Sequence, residues 1–140
     1  MSEEEHRRNS ELTKFEWGML QEWIEKTGKS TDQHFFTVRV GEGADTEAIK
    51  ERWLKKLIKH NTKYKIDCLK VNEKKEVTIV EVKPVADLGA IGQLICYQYL
   101  YNKEFEILPK MILLCLYAND TILQLCDYFK IEVIQQSEML

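Results

Sequence analysis

The 140-residue sequence has few residues that interrupt regular structure, with two prolines and six glycines. It has no apolar run near the roughly 18 residues of a membrane helix, and no apolar signal region near its start. These absences exclude collagenous and low-complexity chains, and they predict an intracellular, cytoplasmic domain without a membrane span. We expect one domain over residues 10–136, a flexible charged leader over 1–9 and a tail over 137–140.

The sequence also lacks the motifs of several common enzyme classes. It contains no nucleophile elbow, phosphate-binding loop or dinucleotide fingerprint, which argues against serine hydrolases, nucleotidases and dinucleotide-binding enzymes. Its three histidines have neither zinc nor triad spacing. The four cysteines, at positions 68, 96, 115 and 126, have no metal-ligand or redox spacing, so we expect reduced thiols packed as small apolar side chains.

Positive charge is concentrated in one part of an otherwise acidic chain. The net charge is −3, yet the window from Lys50 to Lys75 holds ten basic and three acidic side chains. Such a zone is either a solvated surface or a face that binds phosphate groups. The candidates for contact with nucleic acid are Lys50, Arg52, Lys55, Lys56, Lys59 and Lys63.

The spacing of apolar residues predicts four helices and five strands. The helices cover 10–27, 46–60, 88–102 and 120–129, and the strands cover 34–40, 63–71, 77–83, 110–117 and 131–134. The second and third strands form a hairpin, and the helices that follow act as crossovers. The pattern therefore predicts an α/β (α+β) fold, with a central mixed β-sheet flanked by helices.

Two carboxylates and one lysine interrupt strands that should otherwise be apolar. Glu81 and Lys83 share one face at the end of a strand, and Asp67 lies within the preceding strand. Burying an unpaired carboxylate costs several kcal/mol, and a divalent cation removes that cost. We interpret these residues as a candidate Mg²⁺ site, with Lys83 beside a water or phosphoryl group. The alternative is a structural salt bridge between Lys83 and one of the acids.

The period of two in a strand supplies a test of this interpretation. If Asp67 pairs directly with Glu81, both side chains point to one face and a three-residue loop, 73–75, closes the hairpin. A two-residue turn at 73–74 would instead pair Asp67 with Val80. That register would separate the two acids unless a bulge intervened.

Two helices carry polar residues that are candidates for the same site. Gln93 and Tyr97 are four residues apart and therefore share one face of their helix. Glu16 lies near the middle of the apolar stripe of the first helix, where it is either a rim residue or part of a site.

Together these residues resemble the PD-(D/E)XK nuclease superfamily. The match is Asp67, thirteen further residues, Glu81-Val82-Lys83, and then a segment from Gln93 to Tyr97 that is similar to the Q-x-x-x-Y motif of RecB-like members. The stretch VEVKPVADLGAIGQLICYQYL also resembles small stand-alone members that phages and archaeal viruses often encode.

The resemblance implies a restriction-endonuclease-like αβββαβ core, here with an inserted basic helix between the first two strands. It also implies Mg²⁺- or Mn²⁺-dependent hydrolysis of phosphodiester bonds in DNA. The implied metal ligands are Asp67, Glu81 and the backbone carbonyl of Val82, and Lys83 is implied to assist the attacking water.

The resemblance further implies that Gln93 and Tyr97 orient the site or touch the DNA backbone, and that Glu16 adds a direct or water-mediated metal contact. The expected partner is single- or double-stranded DNA, with a homodimer as a further expectation and no membrane partner. The cysteine spacings differ from those of the iron–sulfur members, so we expect no cluster. The alternative is a catalytically inactive module of the same fold that binds nucleic acid or protein.

Overall fold

The computed structural model describes residues 12–41, 47–61 and 64–136. The predicted leader, 1–9, and tail, 137–140, lie outside these residues. The helices are α1 (Lys14–Thr27), α2 (Arg52–Asn61), α3 (Leu88–Phe105) and α4 (Asp120–Tyr128). The strands are β1 (Gln33–Val40), β2 (Tyr64–Val71), β3 (Val77–Val82), β4 (Lys110–Cys115) and β5 (Ile131–Gln135). The order of these elements is the order that the sequence predicts.

The described strands form one five-stranded mixed sheet in the spatial order β1-β2-β3-β4-β5. β1, β2 and β3 are antiparallel neighbours, whereas β3, β4 and β5 run parallel. The change of direction follows from the connections, because a short loop joins β2 to β3 and helices join β3 to β4 and β4 to β5. The predicted fold class, a mixed sheet flanked by helices, is confirmed.

Helices cover both faces of the sheet and create two cores. The α1-side core contains Trp17 and Leu20 of α1 packed on strand residues such as Cys68 and Val80. The α3-side core contains residues of α3 and α4 packed on the opposite face, with Leu94 fully buried at its centre. Among the described residues, no helix is both long and apolar enough to cross a bilayer.

The first helix begins later than the sequence predicted. Its N-cap is Thr13, whereas the predicted helix starts at residue 10, which lies outside the described residues. The Glu16 N–H donates to the Thr13 hydroxyl at 3.1 Å, and the Thr13 N–H donates to Glu16 Oε1 at 2.9 Å. This reciprocal capping box satisfies two donors that would otherwise lack partners, so the helix starts at Lys14.

The inserted helix α2 is also shorter than predicted. Residues 47–51 are not helical, and the helical hydrogen bonds begin where the Lys55 N–H donates to the Glu51 carbonyl at 3.0 Å. Trp53 and Leu57 are 67% and 49% exposed. Neither core contains a described residue of α2. The helix is therefore a peripheral element that presents both basic and apolar side chains to solvent.

Candidate functional site

The β2–β3 hairpin has the register that brings the two acids together. Cys68 pairs with Val80 and Val71 with Val77, so the same register places Asp67 opposite Glu81. A three-residue loop, 73–75, closes the hairpin, and Lys75 at its end has φ 67°. A left-handed residue in this place is typical of three-residue hairpin loops. Of the two predicted registers, the structure has the one that places Asp67 opposite Glu81, and its last paired residues are Cys68 and Val80.

β2 separates from β3 where Asp67 faces Glu81, directly after the last paired residues. The main-chain ladder ends at Cys68 and Val80, and the Val82 N–H donates to Asp67 Oδ2 at 2.9 Å. A cleft of about 400 Å³ opens at this point. Its lining residues are Leu12, Glu16, Tyr64, Lys65, Asp67, Glu81, Val82, Lys83, Gln93 and Tyr97. All seven residues predicted as catalytic or metal-binding line this one cleft.

The backbone of Val82 faces the gap between the two strands. Successive residues of a strand direct their polar groups to opposite neighbours. The Lys83 N–H donates to the Leu114 carbonyl of β4 at 2.9 Å, so the N–H and the carbonyl of Val82 are directed to the β2 side. The Val82 carbonyl thus points toward the side where Asp67 lies.

Glu81 is the most unusual ionisable group in the cleft. It is 6% exposed, and its Oε2 atom is buried without a hydrogen-bond partner. Burial, the charge of Asp67 and a hydrogen bond between the two carboxyl groups raise the pKa of Glu81 to about 9, and the charge of Lys83 opposes this shift only in part. Without a cation beside it, burial and the neighbouring Asp67 carboxylate favour the protonated form of Glu81.

A divalent cation fits this donor set. The unpartnered oxygen of Glu81 and the adjacent carboxylate of Asp67 are hard oxygen ligands of the kind that Mg²⁺ and Mn²⁺ prefer. Within the described part of the chain, no three His, Cys, Asp or Glu side chains are grouped as a ready metal cluster. An ion held here would therefore combine two carboxylates with a backbone carbonyl and water.

Lys83 lies at the mouth of the cleft and is tied to the start of α3. Its Nζ is 3.7 Å from Asp87 Oδ2, and both side chains are about half exposed. Asp87 is the N-cap of α3, because its Oδ1 accepts from the Ala90 N–H at 2.8 Å. The ion pair that the structure gives Lys83 is thus with this capping residue.

Helix α3 also lines the cleft, through Gln93 and Tyr97. Gln93 is exposed and Tyr97 is 4% exposed, and both line the cleft as their four-residue spacing predicts. Burial and the nearby charges of Glu81 and Asp67 raise the pKa of Tyr97, so its hydroxyl stays protonated. The ring of Tyr64 lies 6.4 Å from the ring of Tyr97, measured between centroids.

Four of the six predicted nucleic-acid-binding residues have described side chains, and these four are separate from the cleft. Lys50, Arg52, Lys55 and Lys56 lie before or on α2, and none of these described residues is part of the cleft lining. Lys63 and the side chain of Lys59 lie outside the described residues.

The sequence interpretation missed Leu12, Tyr64 and Lys65 as cleft residues. The signal available for Tyr64 and Lys65 was their position, since both precede Asp67 by no more than three residues at the end of β2 where the hairpin opens.

Glu16 has a structural partner as well as a place in the cleft. Its Oε1 accepts from the Thr13 N–H in the capping box, and the same side chain lines the cleft. Its charge also contributes to raising the pKa of Glu81. A metal contact through Glu16 remains a prediction.

No protein-family model matches this chain, and no curated protein matches it either. Among solved structures, a repair endonuclease from Pyrococcus abyssi is similar, with a TM-score of 0.58 and 15% identity over 91% of this chain and 48% of that one. An EndoMS complex with double-stranded DNA has a TM-score of 0.56 and 17% identity over 91% and 47% of the two chains. The apo form of EndoMS gives 0.53 and 17% over 84% and 44%. The chain spans about half the length of these endonucleases and shares their fold.

Proposed function

We propose that this chain is a metal-dependent nuclease that hydrolyses phosphodiester bonds in DNA. The observation that carries the proposal is the buried, unpartnered carboxylate oxygen of Glu81 beside Asp67 in an open cleft. A carboxyl pair of this kind is costly to keep unless a cation uses it. The proposal is further supported by the endonucleases that share the fold, one of them bound to double-stranded DNA.

In this proposal, the residues of the cleft have separate roles in binding the metal, the water and the DNA. Asp67, Glu81 and the Val82 carbonyl hold Mg²⁺ or Mn²⁺, which when bound would supply Lewis-acid stabilisation of the charge that develops on the phosphate. Lys83 carries a positive charge at the cleft mouth, where it orients the attacking water and stabilises negative charge. Gln93 and Tyr97 contact the DNA backbone or orient the site from α3.

We also assign the chain to the PD-(D/E)XK superfamily, as a RecB-like member of the kind found in viruses. The assignment rests on the spacing from Asp67 to Lys83 and on the segment from Gln93 to Tyr97. The cleft that these residues share and the β2–β3 hairpin register support it.

The direct test is cleavage of supercoiled plasmid and of single-stranded DNA with Mg²⁺, with Mn²⁺ and with a chelator. Asp67→Asn should lower the cleavage rate about a hundredfold, because asparagine keeps an oxygen for the Val82 N–H but loses the ligand charge. Asp127→Asn, at an exposed position on α4, is the matched control and should cleave as the wild type does.

Each contrary result has a definite meaning. Cleavage that persists in the chelator or in Asp67→Asn would point to a different site or to a contaminating enzyme. Absence of cleavage together with salt-sensitive DNA binding would favour the alternative, an inactive nucleic-acid-binding module.

We propose that α2 contacts the phosphate backbone of the bound DNA. The helix carries Arg52, Lys55 and Lys56 and contains no acidic residue. Its peripheral position leaves these side chains at least partly accessible. Neutralisation of phosphates by such residues releases counterions, which makes affinity fall with salt.

Reversing two of these charges should weaken DNA binding without removing the cleavage chemistry. The double change Lys55→Glu and Lys56→Glu should lower affinity more than about tenfold and reduce the slope of log affinity against log salt by about two. Fluorescence anisotropy at several salt concentrations measures both quantities. The matched control is Lys29→Glu with Lys74→Glu, beside a different pocket near the hairpin loop, and an equal loss there would show that net charge alone governs binding.

A further inference from the structure

Strands β1 and β2 both change face at one level of the sheet. Phe36 pairs with Cys68, and both pack in the α1-side core; Val38 pairs with Ile66, and both pack in the α3-side core. Residues two apart in a regular strand point to the same face, so each strand switches faces between these pairs. The register places residues 37 and 67 opposite each other at the switch.

Thr37 has a strained backbone at this switch. Its φ is 50°, which lies in the left-handed region that a β-branched residue rarely adopts. Such a conformation persists only where the surrounding packing demands it, and it is concentrated at functional sites. Here the conformation is imposed by packing, because Phe36 packs in the α1-side core and Val38 packs in the α3-side core.

The switch determines how Asp67 meets β3. A regular continuation of the β2–β3 ladder would pair Ile66 with Val82 and offer the Ile66 carbonyl to the Val82 N–H. Instead, Asp67 Oδ2 accepts from that N–H at 2.9 Å, while Ile66 packs in the α3-side core. A side-chain carboxylate thus takes the place of a main-chain acceptor and is fixed beside Glu81.

We propose that Thr37 is a positioning residue for Asp67. β2 lies between β1 and β3 and changes faces at Asp67. It can stay paired with β1 on both sides of Asp67 only if β1 also changes faces at Thr37, the residue opposite Asp67. The left-handed backbone of Thr37 makes that second switch. The inference rests on the proposed function to the extent that Asp67 is a metal ligand.

The first arm of the test uses glycine, which adopts positive φ without strain. Thr37→Gly should raise the midpoint of thermal unfolding by about 2–5 °C, because the relief of strain outweighs the added chain entropy. Gln33→Gly, at an extended position of the same strand, is the matched control and should lower the midpoint. A Thr37→Gly variant that is less stable than the wild type would overturn the proposal.

The second arm uses proline, which cannot adopt positive φ. Amide hydrogen exchange is measured for the Val82 N–H, which Asp67 holds, and for the adjacent Lys83 N–H, which Leu114 holds. Thr37→Pro should lower the protection of Val82 relative to Lys83 at least about tenfold, whereas Thr37→Gly should preserve the ratio. If the proline variant folds and its ratio of Val82 to Lys83 protection equals that of the wild type, the proposal is overturned. If the proline variant does not fold, the stability of Thr37→Gly decides.

A titration with Mn²⁺ alone separates this inference from the proposed function. Thr37→Pro should weaken Mn²⁺ binding at least about tenfold and Thr37→Gly should leave it within about threefold of the wild type. Ile122→Ala, which destabilises the distant helix α4, should leave Mn²⁺ affinity unchanged. A wild type that binds no Mn²⁺ would contradict the proposed metal site, and the two metal-free arms would still decide the role of Thr37.

Discussion

Replacing Glu81 with glutamine is expected to stabilise the metal-free protein at pH 8 while abolishing cleavage. The reason is that the wild-type carboxyl is buried and its pKa is raised from 4.5 to about 9. At pH 8 the unfolded chain has this group ionised, whereas the folded chain must hold a proton on it. Each pKa unit corresponds to about 1.4 kcal/mol, so the cost at pH 8 approaches about 5 kcal/mol. Glutamine has a similar shape and does not titrate.

The sign of the pH dependence follows from the raised pKa. The contribution of protonated Glu81 to folding is fully present below pH 4.5 and is lost as the pH rises toward 9. The wild type without metal should therefore lose stability over that range, and the Glu81→Gln curve should lack this loss. The two proteins should have similar unfolding midpoints near pH 5 and differ by roughly 10–20 °C at pH 8.

Addition of Mn²⁺ should reverse the order of stability. A cation that binds only the folded wild type raises its unfolding midpoint, and Glu81→Gln should show little of this increase because one ligand is lost. Cleavage by the variant should fall at least about a thousandfold. Thermal unfolding from pH 5 to pH 9, with and without Mn²⁺, measures the effect.

Glu73→Gln, on the exposed hairpin loop, is the matched control and should resemble the wild type. A Glu81→Gln variant that is less stable than the wild type at pH 8 would mean that Glu81 is ionised and paired without metal.

The sequence was informative about Glu81 because the relevant constraint is local. A carboxylate in an apolar strand next to a proline-terminated end is visible from the alternation of residues alone. The same alternation reduced the hairpin to two registers. It could not choose between them, because the loop 73–75 contains neither glycine nor asparagine and Lys75 adopts the left-handed conformation without that signal.

The position of the Asp67 side chain could not be predicted from the local sequence pattern. Its contact with the Val82 N–H depends on a face switch in β2 that is matched by Thr37, thirty residues away in the sequence. Nothing in the local pattern of β2 shows that Ile66 and Cys68 belong to different cores. Such a switch is fixed by the packing of three strands together, which single-strand periodicity does not contain.

The start of α1, in contrast, could have been predicted from a local sequence signal. Thr13 and Glu16 have the spacing of a capping box, and this pattern sets the start of α1. Using it would also have shown that one oxygen of Glu16 has a structural partner. The helix face alone left Glu16 as either a rim residue or part of a site, and only the family resemblance implied a metal contact.

Lys83→Met is expected to remove catalysis while leaving the fold, metal binding and DNA binding in place. The Lys83 side chain is 45% exposed and pairs with Asp87, which is 52% exposed, so its removal leaves no buried charge without a partner. A charged group that acts on the reacting water or phosphate typically contributes a factor of about 10²–10⁴ to the rate. We expect kcat to fall roughly a thousandfold, with Mn²⁺ and DNA affinities within about threefold of the wild type.

Lys65→Met is the matched control, because it removes a second positive charge from the lining of the same cleft. If Lys65 only attracts the phosphate backbone, its loss should raise KM and lower kcat less than about tenfold. Equal effects of the two changes would show that the cleft uses its total positive charge rather than the placement of one amine. A Lys83→Met protein that keeps full kcat would exclude Lys83 from the reaction, and the carboxyl pair would then need another source of charge stabilisation for a nuclease to operate here.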